Sequence, residues 1–173
     1  MNNSGVVMRK QLLVAAVAFG TTPALADSHL SEAALLGEAA FKFCQSCHVV
    51  RDEDGNTIAG RSAKSGPNLY GVIGRQAGTV EKFRYGKHMI AAGDAGLIWN
   101  EESVAAFLAD PKGFIKTELD DNSARTKMVL KLRPDRKNDL SVEDVAANIA
   151  AFLAEVGPTM ETEPTVEELD TDG

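Results

Sequence analysis

The stretch Phe43-Cys44-Gln45-Ser46-Cys47-His48 constrains this 173-residue chain more than any other. Two thiols three residues apart can reach the two vinyl groups of one haem, and the adjoining histidine then falls beneath the iron as an axial ligand. Cys-x-x-Cys-His is accordingly the signature of covalent c-type haem attachment. A structural disulfide or a thioredoxin-like redox pair would need only Cys-x-x-Cys and is the rival reading. Cys44 and Cys47 are the only cysteines, and no βαβ pattern surrounds them, which favours haem. The fold that follows is a wrapper for one porphyrin. Aromatic residues make up only 6% of the chain, which suits a core whose bulkiest apolar member is a cofactor.

The first residues read as a segment apart. Arg9 and Lys10 precede the apolar run Leu12 to Phe19, and Ala24-Leu25-Ala26 matches the small-x-small cleavage pattern of a secretory signal peptide. The run is short for a bilayer span, although an uncleaved anchor is the alternative. Residues 1–26 are therefore expected to be removed on export, leaving one domain over 27–157 and an acidic tail over 158–173 that is expected to be disordered. Export to the periplasm also suits c-type haem attachment, since Cys-x-x-Cys left free in an oxidising compartment tends to close.

Removing 1–26 takes away Arg9, Lys10 and no acid, so the formal net charge of −7 becomes −9. Much of that charge lies in the tail, in Glu161, Glu163, Glu167, Glu168, Asp170 and Asp172, with no Lys or Arg among them. The body is nearly balanced, and a chain with no basic excess is a poor candidate for nucleic acid.

Helical periodicity dominates the body. Ser31 can cap a helix starting at Glu32, on which Gly37, Phe41 and Cys44 share one face. Gly37 in mid-helix costs about 1 kcal/mol against alanine, so it implies close approach of another helix. The candidate partner starts at Ser141, with Asp144 completing a capping box and Val145, Ile149, Phe152 and Val156 forming one stripe, and it stops at Gly157-Pro158. Between them, Asn100 caps Glu101 to Ala109, Asp110-Pro111 restarts a brief helix through Lys116, and a shorter turn of helix covers Lys87 to Ala92. No convincing alternating strand appears, so the expected class is all-α with long loops.

Residues 51–86 show little periodicity, and a connection of that length points to function. Within it Gly66-Pro67-Asn68-Leu69 can run extended beside the proximal imidazole, where the Pro67 carbonyl would accept the second ring proton and fix the ring. A sulfur donor opposite histidine favours ferrous iron, as in electron-transfer cytochromes. The candidates are Met89, Met128 and Met160, with His88 as the best rival. Met128, in the polar stretch Ala124-Arg125-Thr126-Lys127-Met128 between the helices, is favoured by position. Met89 falls in the short helix, where methionine is commonly core filler, and Met160 lies in the tail.

Taken in order, Cys44-x-x-Cys47-His48, Gly66-Pro67-Asn68-Leu69-Tyr70-Gly71, Gly74-Arg75, Phe83-x-Tyr85, Trp99, Asp110-Pro111-Lys112, Thr126-Lys127-Met128 and Ile149-Ala-Ala-Phe152-Leu153 resemble class I cytochrome c. The resemblance runs from about Ser31 to Val156. Inserts around Asp52–Ala63 and Lys116–Ala124 make it similar to the large bacterial cytochrome c-two subgroup. It implies the class I fold, with N- and C-terminal helices crossing and short helices and long loops around one haem. It implies thioethers at Cys44 and Cys47, iron ligation by His48 and Met128, and a Pro67 carbonyl bonded to His48. Arg75, Tyr85 and Trp99, by the same resemblance, contact the haem propionates or the water beside them. Three departures stand out: Phe107 where the family often has tyrosine, Leu130 where it often has phenylalanine, and Arg125 in place of the usual glycine.

The expected function is outer-sphere transfer of one electron by a monomeric, non-enzymatic carrier with one covalent haem c. The resemblance suggests a cytochrome bc complex as donor and a terminal oxidase or photosynthetic reaction centre as acceptor. Lys42, Lys64, Lys112, Lys127 and Lys131 would steer it to acidic patches on such partners. A haem enzyme or sensor would require an open sixth position, and a thiol-disulfide protein would require free Cys44 and Cys47.

Overall fold

The computed structural model describes residues 30–158; the expected leader, and all of the expected tail except Pro158, lie outside the described residues. Five α-helices order the described residues: α1 (Glu32–Ala40), α2 (Lys87–Asp94), α3 (Glu101–Ala109), α4 (Pro111–Glu118) and α5 (Val142–Glu155). A 3₁₀ turn, Phe41–Phe43, continues α1 into the Cys-x-x-Cys-His stretch. No described helix is long and apolar enough to cross a membrane.

The N-termini of α1, α3, α4 and α5 are closed by side chains, as the sequence suggests. Ser31 Oγ accepts the Ala34 amide 3.1 Å away. Ser141 and Asp144 cap each other's amides at the start of α5, at 3.1 and 2.9 Å. At α3, Asn100 accepts from the Ser103 amide at 2.7 Å and the Ser103 hydroxyl accepts from the Asn100 amide at 2.9 Å. Each cap satisfies amides that the first turn leaves without a partner.

The core lies where α1 crosses α5. Gly37 makes the crossing possible, because a Cβ there would overlap the Asn148 carbonyl oxygen of α5. Phe41 packs its ring 5.8 Å from that of Phe152, and Phe152, Ile149 and Ala146 are fully buried. The two helices are also tied at their ends: Glu155, on the last turn of α5, accepts the Ser31 amide at 2.8 Å and the Ser31 hydroxyl at 2.6 Å. A carboxylate is unfavourable at its own helix C-terminus but favourable at the N-terminus of α1, which is where this one sits.

The expectation of no strand is corrected. Val49–Arg51 (β1) and Thr57–Gly60 (β2) pair antiparallel, with an irregularity between Val50 and Arg51. Strands of three and four residues are too short to show an alternation, and β2 is largely exposed, so its sequence carries no apolar rhythm. The rest of 61–86 is irregular backbone, as expected.

Candidate haem-binding site

Cys44, Cys47 and His48 leave the end of the 3₁₀ turn in a tight turn, with the Cys47 and His48 amides bonded to the Cys44 carbonyl at 3.0 and 2.9 Å. The turn brings two free thiols and one imidazole to the wall of a single cavity of about 370 Å³. Cys44 is buried and Cys47 exposed. Burial, with the Cys47 charge adding to it, pushes the Cys44 thiol up to about 12. Hydrogen bonds from the Ser65 and Ser46 hydroxyls hold Cys47 below its ordinary range, so Cys47 is the readier thiolate.

A segment lying parallel to this turn fixes the imidazole. The Gly66 amide bonds to the Cys47 carbonyl at 2.7 Å and the Leu69 amide to the Val49 carbonyl at 2.9 Å. Asn68 pins the segment to β1: its Oδ1 accepts the Arg51 amide at 3.0 Å and its Nδ2 donates to the Arg51 carbonyl at 2.7 Å. The Pro67 carbonyl thereby stands 3.0 Å from His48 Nδ1. With the proton on Nδ1 and given to Pro67, Nε2 keeps its lone pair for a metal. Burial lowers the His48 pKa, which the Pro67 bond opposes, and so favours the neutral form a ligand requires. Gly66 leaves room for the ring, since a Cβ there would lie 2.5 Å from His48 Cε1.

The opposite elements complete the wall with Val72, Val104, Phe107, Leu108, Ile149 and Leu153, and with the loop residues Met128 and Leu130. Trp99 is buried, its ring 5.3 Å from Phe107 and stacked 5.7 Å from Phe114. Arg75 and Tyr85, which read as surface residues on their own, both reach the cavity wall. The Arg75 guanidinium donates to the Asn68 carbonyl at 3.3 Å and the Tyr70 carbonyl at 3.0 Å. Burial lowers its pKa and raises that of Tyr85, while their mutual interaction opposes both shifts. Arg75, Tyr85 and Trp99 thus join the lining of a largely apolar cavity.

Of the four alternatives for a second axial donor, the structure brings Met128 and Met89 to the cavity wall. His88 is not on that wall; its ring faces Asp121 and the Arg125 amide. Met160 lies outside the described residues. Lys127 is engaged within the protein, its ammonium donating to the Arg84 carbonyl at 2.8 Å. Lys42 lies 5.2 Å from the Phe43 ring centroid. Lys64, Lys112 and Lys131 are exposed.

The sequence reading missed the paired hydrogen bonds of Asn68 to β1, the steric need for Gly66 and the Ser65 contact to Cys47. Only Asn68 carried a signal, since its amide can bond backbone in both directions.

A largely apolar cavity of this size, with two thiols, an imidazole and a thioether on its wall and a few polar groups for orientation, fits one covalent haem. Crossed terminal helices around such a site define a c-type cytochrome of class I. A cytochrome c2 of Cereibacter sphaeroides is 46% identical over 145 residues, spanning 83% of this chain and 92% of the relative. Cytochrome c-551 of Roseobacter denitrificans is 40% identical over 143 residues, spanning 83% of this chain and 94% of its own. The crystal structure of cytochrome c2 from Rhodobacter sphaeroides superposes with a TM-score of 0.64 at 46% identity, covering 71% of this chain and 94% of that one. No family model matches the chain. The chain belongs to the cytochrome c2 family: it carries one covalently bound haem c and is an electron carrier, not an enzyme.

Proposed function

We propose that Cys44 and Cys47 form the thioethers and that His48 and Met128 ligate the iron, making the protein a periplasmic carrier of single electrons. The observation that carries this reading is the sharing of one cavity wall by Cys44, Cys47, His48 and Met128, with His48 Nδ1 committed to the Pro67 carbonyl. When bound, the haem supplies a one-electron iron couple. The protein's residues hold and tune it. Pro67 orients His48 and strengthens its donation. The thioether of Met128 favours the ferrous state and raises the potential. Arg75, Tyr85 and Trp99 offer donors for the propionates, whose charge would otherwise be costly near an apolar wall. The apolar lining excludes water, which limits reorganisation when charge changes.

His48 and Met128 would together hold the iron and leave no substrate site on it, so electrons would be exchanged through contact with another redox protein. The proposed route runs from a cytochrome bc complex to a terminal oxidase or photosynthetic reaction centre. The family also supports export, with residues 1–26 as the signal peptide and 27–157 as the haem domain. Membership in the cytochrome c2 family supports the electron-carrier role.

Absorption spectra test the ligand set. The oxidised protein is expected to show the weak near-infrared sulfur-to-iron band at neutral pH, and Met128→Ala is expected to abolish it and lower the potential. A wild-type protein without the band, or a Met128→Ala variant that keeps it, would overturn the assignment. The start of the mature chain at Asp27, read by terminal sequencing, tests export.

A further inference from the structure

His88 is left over from the ligand assignment, yet it is held on two sides. Its side chain is 16% exposed. Nδ1 accepts the backbone N–H of Arg125 at 3.2 Å, across 37 residues of chain. Nε2 lies 4.0 Å from the Asp121 carboxylate. Asp121 is itself positioned by the Ser123 amide, which it accepts at 2.7 Å. For Nδ1 to accept, the proton must reside on Nε2, and the facing carboxylate favours that tautomer.

Arg125 opens the stretch that delivers Met128. Beyond it Thr126 Oγ1 accepts the Met128 amide at 3.1 Å, and Lys127 reaches back to the Arg84 carbonyl. Residues 125–128 otherwise have no helix or strand ladder to hold them. Their attachments run to the Arg84–His88 side of the cavity. Next to His88, Met89 lines that cavity, and α2 is seated by Gly93 closing on the Ala77 carbonyl.

We propose that His88 is a positioning residue for the Met128 segment, holding the Arg125 amide so that the Met128 sulfur stays at the cavity. The inference rests on Met128 being the axial ligand. The contact converts an amide without a backbone partner into a fixed point three residues before the sulfur. Asn is the conservative replacement, because its Oδ1 stands where the imidazole Nδ1 stands and can accept the same N–H. Leu fills much of the volume and accepts nothing.

The test uses the full-length holoprotein as wild type, His88→Asn and His88→Leu. Amide hydrogen exchange at Arg125, imidazole binding to the ferric protein and the reduction potential are measured on each. In His88→Leu, exchange at Arg125 is expected to accelerate about fivefold, matching loss of one ordinary hydrogen bond. Imidazole is expected to bind about fivefold faster by the same opening, and the potential to move negative. Exchange at Phe152, in the buried helix crossing, should not change. His88→Asn should remain near wild type in all three. The proposal is overturned if His88→Leu matches wild type at Arg125 and toward imidazole, or if His88→Asn is impaired as much as His88→Leu. Should His88→Leu not fold, an unprotected Arg125 amide in the wild type would overturn it equally. A wild type that lacks the near-infrared band but protects Arg125 would instead remove the ligand assignment and leave the contact standing.

Discussion

Gly66 shows how much chemistry one hydrogen atom can permit. The His48 ring lies flat against its Cα, and a methyl group there must displace either the imidazole or the backbone held by Asn68. Gly66→Ala is expected to cost about 1–3 kcal/mol, the usual range for overpacking. Denaturant unfolding of the holoprotein would measure it, and the near-infrared band should weaken in parallel as the ring tilts; full stability with an unaltered band would contradict the steric account. Pro67 bonds the same ring and Asn68 holds Pro67's segment to β1, yet only the Cys-x-x-Cys-His spacing and the extended Gly-Pro-Asn stretch were readable from sequence. Gly66 was readable as part of that extended stretch and not as the floor beneath an imidazole, because that role depends on a neighbour 18 positions away in the chain.

At the scale of elements, the helices were the legible part, since caps and stripes are local. Ser31, Asn100, Asp110 and Ser141 each sit at the start of the helix expected of them. Ser141→Ala is expected to lower stability by about 1 kcal/mol, as loss of a helix cap does. Its partner Asp144 gives a pH signature. Hydrogen bonds from Ser141 hold the Asp144 carboxyl below its ordinary range. A group depressed in the folded state stabilises above its unfolded pKa and loses that contribution as pH falls through its folded value. Stability should therefore decline on acidification below about pH 4, and Asp144→Asn should flatten that limb. Thermal unfolding as a function of pH checks the sign, and an identical acid limb in the variant would argue against it. The short β1–β2 pair was the illegible element: its register depends on backbone pairing of Val49 with Gly60, and a mostly exposed hairpin leaves no hydrophobic pattern to read.

Over the whole molecule, the cofactor is part of the core. Removing the haem would leave about 370 Å³ unfilled, and at about 24 cal/mol per Å³ the cost approaches 9 kcal/mol before any collapse. That is comparable to the entire stability of an ordinary domain. Protein carrying Cys44→Ala and Cys47→Ala, freed of haem, is expected to lose its cooperative thermal transition; a sharp calorimetric peak in that protein would contradict this. Charge acts at the same scale. Exposed Lys64, Lys112 and Lys131 are available for steering, and electron transfer to an acidic partner is expected to slow by about tenfold between low and high salt. A flat salt dependence would discard steering. Lys127, engaged with Arg84, should act through loop position, so its substitution is expected to alter the near-infrared band as well as the rate.

The sequence alone determined the Cys-x-x-Cys-His spacing, the helix starts and the need for a close helix crossing at Gly37. These follow from covalent spacing, periodicity and capping, which act within a few residues. Tertiary structure decided what stands around the imidazole. It set Asn68 and Pro67 against the Cys47–Arg51 backbone, brought Arg75, Tyr85 and Trp99 to one cavity, placed Met128 on its wall and turned His88 away from it. Those arrangements arise from backbone pairing and packing between distant segments, and no local pattern encodes them.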